Sequence, residues 1–344
     1  MTGVQTCALP ISTRPYEALI NITTGNYGKT YRIYINGDLK AEYKTPDGGE
    51  PSHADYIDTV HIASELWTDL DAAGFNNPPW AVGRYHSTIY IRNIQDDFTV
   101  STEDGYGGRA MKEVKGVIQK FSDLPLHGPN GVVVRVAGDN TTGFDDYWVE
   151  LQKADETDGS AIWKETVAPG TRLNLDASTM PHILVREADG TFTFKPAEWD
   201  KRKCGDEEKN PDPSFVGETI EDVLFHKDRL GFLTKENIVF SEFGKFFNFY
   251  RTTLTALLDT DPIDVGASHI KVSLLRHALP YQKELLLFTD ETQFVLTGKE
   301  LLTPKTVSAD PITELPTHAV IRPVSAGSNI YIIAETSEWA TIFE

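Results

Sequence analysis

The sequence predicts a mainly β protein with an α+β insertion, in which a partial β-propeller of antiparallel hairpin blades is preceded by a small all-β module and an α+β module. Three observations predict it. LGFLTKENIVFS from Leu230, LLLFTDETQFVL from Leu285 and IYIIAETSEWAT from Ile330 align without a gap, with apolar runs on either side of the polar turns TKEN, TDET and AETS. The hairpins start 285 − 230 = 55 and 330 − 285 = 45 residues apart. A period near ~45 residues built of short antiparallel strands suits propeller blades, each hiding its faces against the next. Finally, one amphipathic helix is legible in a chain otherwise patterned as short strands. About three blades are visible where closure takes at least ~4, so sequence beyond the present ends is expected to supply the rest.

Taken in order, residues 1–12, MTGVQTCALPIS, show no period and resemble translated sequencing-adapter read-through, so they are expected to be a non-native leader. The α+β inserted module spans 13–121. In it TYRIYINGDLKAEYK alternates Tyr31, Ile33 and Ile35, turns at Asn36-Gly37 and returns through Leu39, Ala41 and Tyr43, a strong hairpin signal. Ile57, Val60, Ala63, Trp67 and Leu70 then follow at helical spacing, with Ser52 or Asp55 as candidate N-cap and Gly74 as stop. HSTIYIRN and DDFTVSTE read as further strands. LPLHGPNG, rich in Pro and Gly, marks a boundary. The small antiparallel β module, 122–200, holds GVVVRVAGD, DYWVELQ, SAIWKETV and a hairpin turning at Asp189-Gly190. DKRKCGDEEKNPDPS reads as a surface loop into the incomplete propeller platform, 201–344. The chain stops inside the third repeat, and a fragment lacking sequence at both ends is expected.

Charge narrows the function classes. With 32 Lys+Arg against 51 Asp+Glu in 344 residues, the net charge of −19 opposes a surface built to grip a phosphate backbone. No apolar run is long enough to span a membrane. Cys7 and Cys204 are too few for a disulfide framework and have no metal-ligand spacing, which fits synthesis in a reducing compartment.

Several motifs invite chemistry. DTDPIDVG gathers Asp259, Asp261 and Asp264 before Gly266, but Pro262 at the fourth position and the absence of framing helices disfavour a calcium loop. A pair of glycosidase carboxylates needs a separation of ~5 to 10 Å that sequence does not reveal; a turn between blades is the plainer reading. His226 and His277 lie beside apolar strands, where structural histidines predominate. Cys204 has no neighbouring His and reads as a loop thiol. GYGGR at 105–109 lacks the Lys of a phosphate loop and reads as a turn. SEFGKFFNFY sets Phe243, Phe246, Phe247, Phe249 and Tyr250 beside Lys245 and Arg251, a pattern for stacking bases or, more simply, for packing between blades. No residue can be named catalytic, and no cofactor or metal site is expected.

Specific segments also carry a resemblance. HGPNGVVVRVAGD, ETVAPGT, TMPHILVREADGTFTFKPAEW, KCGDEEKNPDPSFVGETIEDVLFHKDRLGFLTKENIVFSEFGKFFNFY, DTDPIDVGAS and ELLLFTDETQFVLTG, in this order, resemble the tail tubular protein B family, the nozzle proteins of short-tailed bacteriophages. NYGKTYRIYINGDLKAEYKTPDG is similar to the inserted domain of those proteins. The resemblance runs from about Tyr16 to the C-terminus and lacks the family's N-terminal opening and long C-terminal part. It implies a non-enzymatic virion protein made in the host cytoplasm. Such a protein forms a hexameric ring below the adaptor ring of tail tubular protein A, helps attach tail fibres, and passes double-stranded DNA during ejection. A propeller glycosidase or depolymerase, or a carbohydrate-binding adhesin, acting on the host envelope is the alternative.

Overall fold

The computed structural model describes residues 16–137, 146–153, 161–267, 274–298, 301–335 and 339–344, together with the backbone of Thr6–Cys7. Most of the expected leader and part of the AETS turn lie outside the described residues. Contacts divide the chain into Ile11–Gly170 and a second unit of Met1–Pro10 with Thr171–Glu344. Both are mainly β.

In the first unit, Trp80–Tyr85, Thr88–Asn93, Tyr16–Ile22 and Met111–Val114 lie in this order in one antiparallel sheet. Asp38–Lys44, Thr30–Ile35 and Val100–Glu103 form another. The hairpin turns at Asn36 (φ 53°) and Gly37 (φ 85°), the left-handed pair that a two-residue turn requires. Tyr31, Ile33, Ile35 and Ala41 are buried as the alternation predicts, but Leu39 is exposed. A bulge between Ile33 and Tyr34 moves Leu39 opposite Tyr34, onto the outer face.

The helix runs Thr59–Leu70, and Asp58 caps it: its Oδ1 accepts from Val60 N at 2.8 Å and His61 N at 3.2 Å. Ser52 and Asp55, the expected caps, fall in a preceding 3₁₀ turn, Pro51–Ile57, which shifts the helix start and its inward face. Ile62, Ala63, Leu66 and Leu70 point inward, onto Ile20, Ile22, Ile33 and Ile89. Burial of an Ile or Leu side chain contributes about 1.5–3 kcal/mol, enough to fix this face against the strands. Past the helix, Gly74 takes φ 91° and ends it as expected.

A third sheet orders Ala161–Thr166, Tyr147–Lys153, Val133–Val136 and Val117–Ile118, the last pair parallel. Leu19 and Val114 of the first sheet share its core with Val134, Val149 and Leu151. LPLHGPNG is held here too, since Leu124 is buried and Trp163 Nε1 donates to Pro125 O at 2.7 Å.

The second unit contains three successive antiparallel meanders. The first is Asp222–His226, Arg229–Thr234, Asn237–Phe240 and Ile263–Gly266; the second is His277–Tyr281, Glu284–Phe288, Gln293–Thr297 and Ser308–Thr313. The third is Val324–Ala326, Asn329–Glu335 and Ala340–Phe343. Each sequence repeat is the hairpin of a meander's second and third strands. Every residue of Arg229–Thr234 is buried, because this strand is covered on both faces. Leu230 and Phe232 face Phe215, Phe249 and Met180. Leu233, Ile238 and Phe240 share a core with Leu285, Leu287 and Phe294 of the second meander. Leu286 and Phe288 in turn pack with Ile332 of the third.

His182–Arg186 and Phe192–Pro196 form a two-stranded ribbon in this unit that, among the described residues, joins none of its other sheets. No helix among the described residues is long and apolar enough to cross a membrane.

Candidate functional site: the polar joints of the meanders

A charge that opens a strand buried on both faces must be satisfied by its neighbours. Arg229 is that charge, with 1% of its surface accessible. Its guanidinium donates to the carbonyl oxygens of Ser241 (2.7 Å), Asp261 (2.7 Å) and Asp259 (2.9 Å). Burial pulls its pKa down, opposed by the charges of Asp261 and Glu242. DTDPIDVG therefore acts through its backbone, as a collar of oxygens around a cation.

The three carboxylates of that segment diverge. Asp259 lies 3.6 Å from Lys305 Nζ. Asp261 is fully buried, accepts from Leu258 N at 2.9 Å and lies 3.5 Å from Arg251 Nε. Burial pushes the Asp261 pKa up, against the bond from Leu258 and the charge of Arg251. Asp264 accepts from Ser214 N (2.8 Å) and Asn237 Nδ2 (2.7 Å). Each acid serves a different set of partners.

The aromatic segment is divided by the same physics. Phe249 and Tyr250 are buried, and Phe249 stacks on Phe232 with ring centres 5.0 Å apart. Phe247 meets Trp199 edge-on at 5.3 Å. Phe243 and Phe246 are exposed, Phe246 against Phe225 at 5.4 Å. Lys245 is held by Glu242 (2.9 Å), and Glu242 also accepts from Asn248 Nδ2 (2.6 Å).

Beneath this segment, Arg202 bonds Asp212 at 2.8 Å and lies 4.7 Å over the Tyr250 ring, while the Tyr250 hydroxyl donates to the same Asp212 at 2.8 Å. Burial, then the Asp212 charge, raises the Tyr250 pKa. Cys204 is buried, its Sγ 3.3 Å from Arg251 O. Asn210 Nδ2 donates to the carbonyls of both residues, at 3.0 and 3.1 Å. A thiol so enclosed does not meet solvent reagents.

Between meanders the joint is Asp222, on the first strand of the first. Its Oδ2 accepts from Ala278 N, on the first strand of the second meander, at 3.1 Å, and from Arg322, two residues before the third. The first strand of each meander lies against the first strand of the next. Nearby, Arg276 spans Glu221 (3.5 Å) and Asp290 (3.4 Å). His277 is lowered by burial, with Asp222 opposing; His226 is lowered to about 4 by burial, aided by Lys227. Both imidazoles are neutral at pH 7.

In the first unit GYGGR wraps its own anion. The buried Asp104 carboxylate accepts from the backbone N–H groups of Tyr106 (2.7 Å), Gly108 (3.0 Å), Ala110 (2.6 Å) and Met111 (3.1 Å). Gly105, Gly107 and Gly108 take φ of 63°, 69° and 76°, which aims those groups inward. The anion cradle is thus filled from within the chain.

Sequence reasoning singled out the acids and the aromatic run but missed Arg229, Arg202 and Asp222. The available signal was Arg229 itself, a cation heading the apolar run LGFLT. Among the described residues no group of three or more His, Cys, Asp or Glu side chains is placed to hold a metal ion.

Fold and site together define a mainly β protein whose charged side chains hold its own loops and sheets in place. The chain belongs to the bacteriophage nozzle protein family, whose model matches residues 3–344. It is 39% identical over 330 residues to the tail tubular protein gp12 of Escherichia phage T7, an alignment covering 95% of this chain and 40% of that relative. The chain therefore spans about two-fifths of the relative's length.

Proposed function

We propose that the chain forms part of the wall of the tail tube of a short-tailed phage, through which the genome passes into the host. In this reading the three meanders are consecutive propeller blades. Six copies form a ring below the adaptor ring, with tail fibres attached nearby. The observation that carries it is the side-by-side placement of the three first strands, joined at Asp222, which is how blades meet around an axis. Family membership supports the location.

A wall that conducts DNA works best if it does not bind it, since each Lys or Arg on a phosphate adds a salt-dependent trap. The net charge of −19 per chain supports such a repulsive lining. The protein is expected not to retain duplex DNA at about 50 mM salt; tight, steeply salt-dependent binding would count against the lining.

Electron microscopy of the full-length protein tests the main reading. Sixfold rings with an open centre are expected, and no sugar release from host capsule or peptidoglycan. Monomers that cleave either polymer would overturn it.

A further inference from the structure

Three Asp-Pro bonds lie in the chain, at Asp212-Pro213, Asp261-Pro262 and Asp310-Pro311. Proline brings no N–H to the bond, which is therefore a tertiary amide. Its nitrogen takes up a proton more readily than that of an ordinary peptide. The aspartate in front carries a carboxyl that is one ring closure away from the carbonyl carbon of the same bond. The structure surrounds the three sites differently.

At the second site the parts that scission needs are held together. The Asp261 carboxyl is fully buried, and its Oδ1 has no hydrogen-bond partner among the described residues. Its Oδ2 is anchored by Leu258 N at 2.9 Å and lies 3.5 Å from Arg251 Nε. The carbonyl oxygen of the Asp261-Pro262 bond accepts from Arg229 Nη1 at 2.7 Å. A buried guanidinium on that oxygen polarises the carbonyl and stabilises the negative charge that develops there during attack. Burial pushes the carboxyl pKa up, opposed by Leu258 N and Arg251 and aided by Glu242, so a proton is kept at milder acidity than an ordinary aspartate keeps one. Residues 255–260, just before it, are exposed, which gives water access to the bond. The other two aspartates are placed otherwise. Asp212 has one oxygen bonded by Arg202 and by the Tyr250 hydroxyl, each at 2.8 Å, and the other 3.5 Å from Arg172. Asp310 is exposed, its Oδ2 accepting from Ser308 Oγ at 2.9 Å.

We propose that Asp261-Pro262 is a self-cleavage site, with the Asp261 carboxyl as nucleophile and Arg229 as oxyanion donor. Asp261 Oδ1 attacks the carbonyl carbon of its own residue and closes a cyclic anhydride. The bond from that carbon to the Pro262 nitrogen breaks; the nitrogen keeps the electron pair, takes the carboxyl proton and leaves as a secondary amine. Water then opens the anhydride, which restores the Asp261 side chain and leaves a C-terminal carboxylate beside Arg229. Nucleophile and carbonyl belong to one residue, so the bond-breaking step is unimolecular. The pieces stay joined after scission, because Pro262 leads into Ile263–Gly266, which pairs with Asn237–Phe240, and Ile263 shares a core with Leu233, Ile238 and Leu285. Cleavage is therefore read under denaturing conditions. It does not depend on the tail-tube reading.

Full-length protein is incubated in mildly acidic buffer, native and in concentrated urea, and followed by denaturing gels, intact mass and N-terminal sequencing. Native protein is expected to yield a piece that begins at Pro262, the two masses adding to the intact chain plus one water, while the bonds after Asp212 and Asp310 stay whole. In urea the preference for Asp261 is expected to disappear. Arg229→Met is expected to slow native scission by about a hundredfold, as loss of an oxyanion donor does. Pro262→Ala, which restores a secondary amide, is expected to abolish it. Should Arg229→Met misfold by circular dichroism, Pro262→Ala and the urea comparison decide. Native protein that stays whole, or that is cut equally at the three bonds, overturns the proposal. So does scission as fast in Pro262→Ala, or in a folded Arg229→Met, as in the wild type.

Discussion

Replacing Arg229 by Met tests whether the carbonyl collar holds the first meander. Methionine keeps the apolar stem and removes the donors, so the carbonyls of Ser241, Asp261 and Asp259, now bonded at 2.7, 2.7 and 2.9 Å, lose their partner. Charge-assisted bonds of this kind contribute about 1.5–3 kcal/mol each, and breaking one side of a buried charged network typically costs about 3–5 kcal/mol in all. Bonds to Thr260 O and Leu302 O at 3.3 and 3.4 Å are too long to alter that figure much. For a unit of this size each kcal/mol shifts the melting temperature by about 2–4 °C, so Arg229→Met lowers Tm by about 10 °C. Arg229→Lys, with charge but no fork, falls between. Urea and thermal unfolding followed by tryptophan fluorescence measure both. A loss below about 1 kcal/mol for Arg229→Met would refute the reasoning, since it would leave several buried carbonyls with no cost attached.

Asp104→Asn puts an amide among four N–H donors and costs the first unit about 2–3 kcal/mol in urea titration at pH 7. Burial pushes the Asp104 pKa up, but its backbone bonds outweigh that and hold it below 3.8. Its stabilisation is therefore complete above the unfolded value and lost as pH falls through the lower folded one, a slope that Asp104→Asn removes. His226 has the same sign by another route. Its folded pKa of about 4 lies below the ordinary 6.5, so the unfolded chain takes the proton first and stability declines as pH falls from 6.5 to about 4. His226→Gln flattens that window, read from chemical denaturation at stepped pH. Asp222→Ala frees Ala278 N and Arg322, so amide exchange quickens in His277–Tyr281 and Val324–Ala326 while Arg229–Thr234 stays protected.

Features governed by local chemistry were legible in the sequence. Asn36-Gly37 names its turn because only a left-handed pair closes it, and the aligned hairpins name strands two and three of each meander. Features set by partners distant in sequence were not. Leu39 alternates correctly, yet a bulge at Ile33 sends it outward. Asp58 and Asp55 are equally good caps by residue type, and only the 3₁₀ turn before the helix decides between them. The acids of DTDPIDVG drew attention for their carboxylates, whereas it is the carbonyls of Asp259 and Asp261 that hold Arg229, and residue type says nothing about which oxygen is used. GYGGR lacks a phosphate-loop lysine, and the structure adds that its N–H groups already hold Asp104. Asp222 gave no signal because its partners lie 56 and 100 residues away.

Cryo-electron microscopy of the tail of intact virions, at a resolution that shows side chains, bears most directly on the chain as a wall component. The account predicts copies of this chain around an open channel, the three meanders adjacent and Asp222 seated against Ala278 and Arg322. Density placing the chain away from the channel, or its meanders apart from one another, would contradict it.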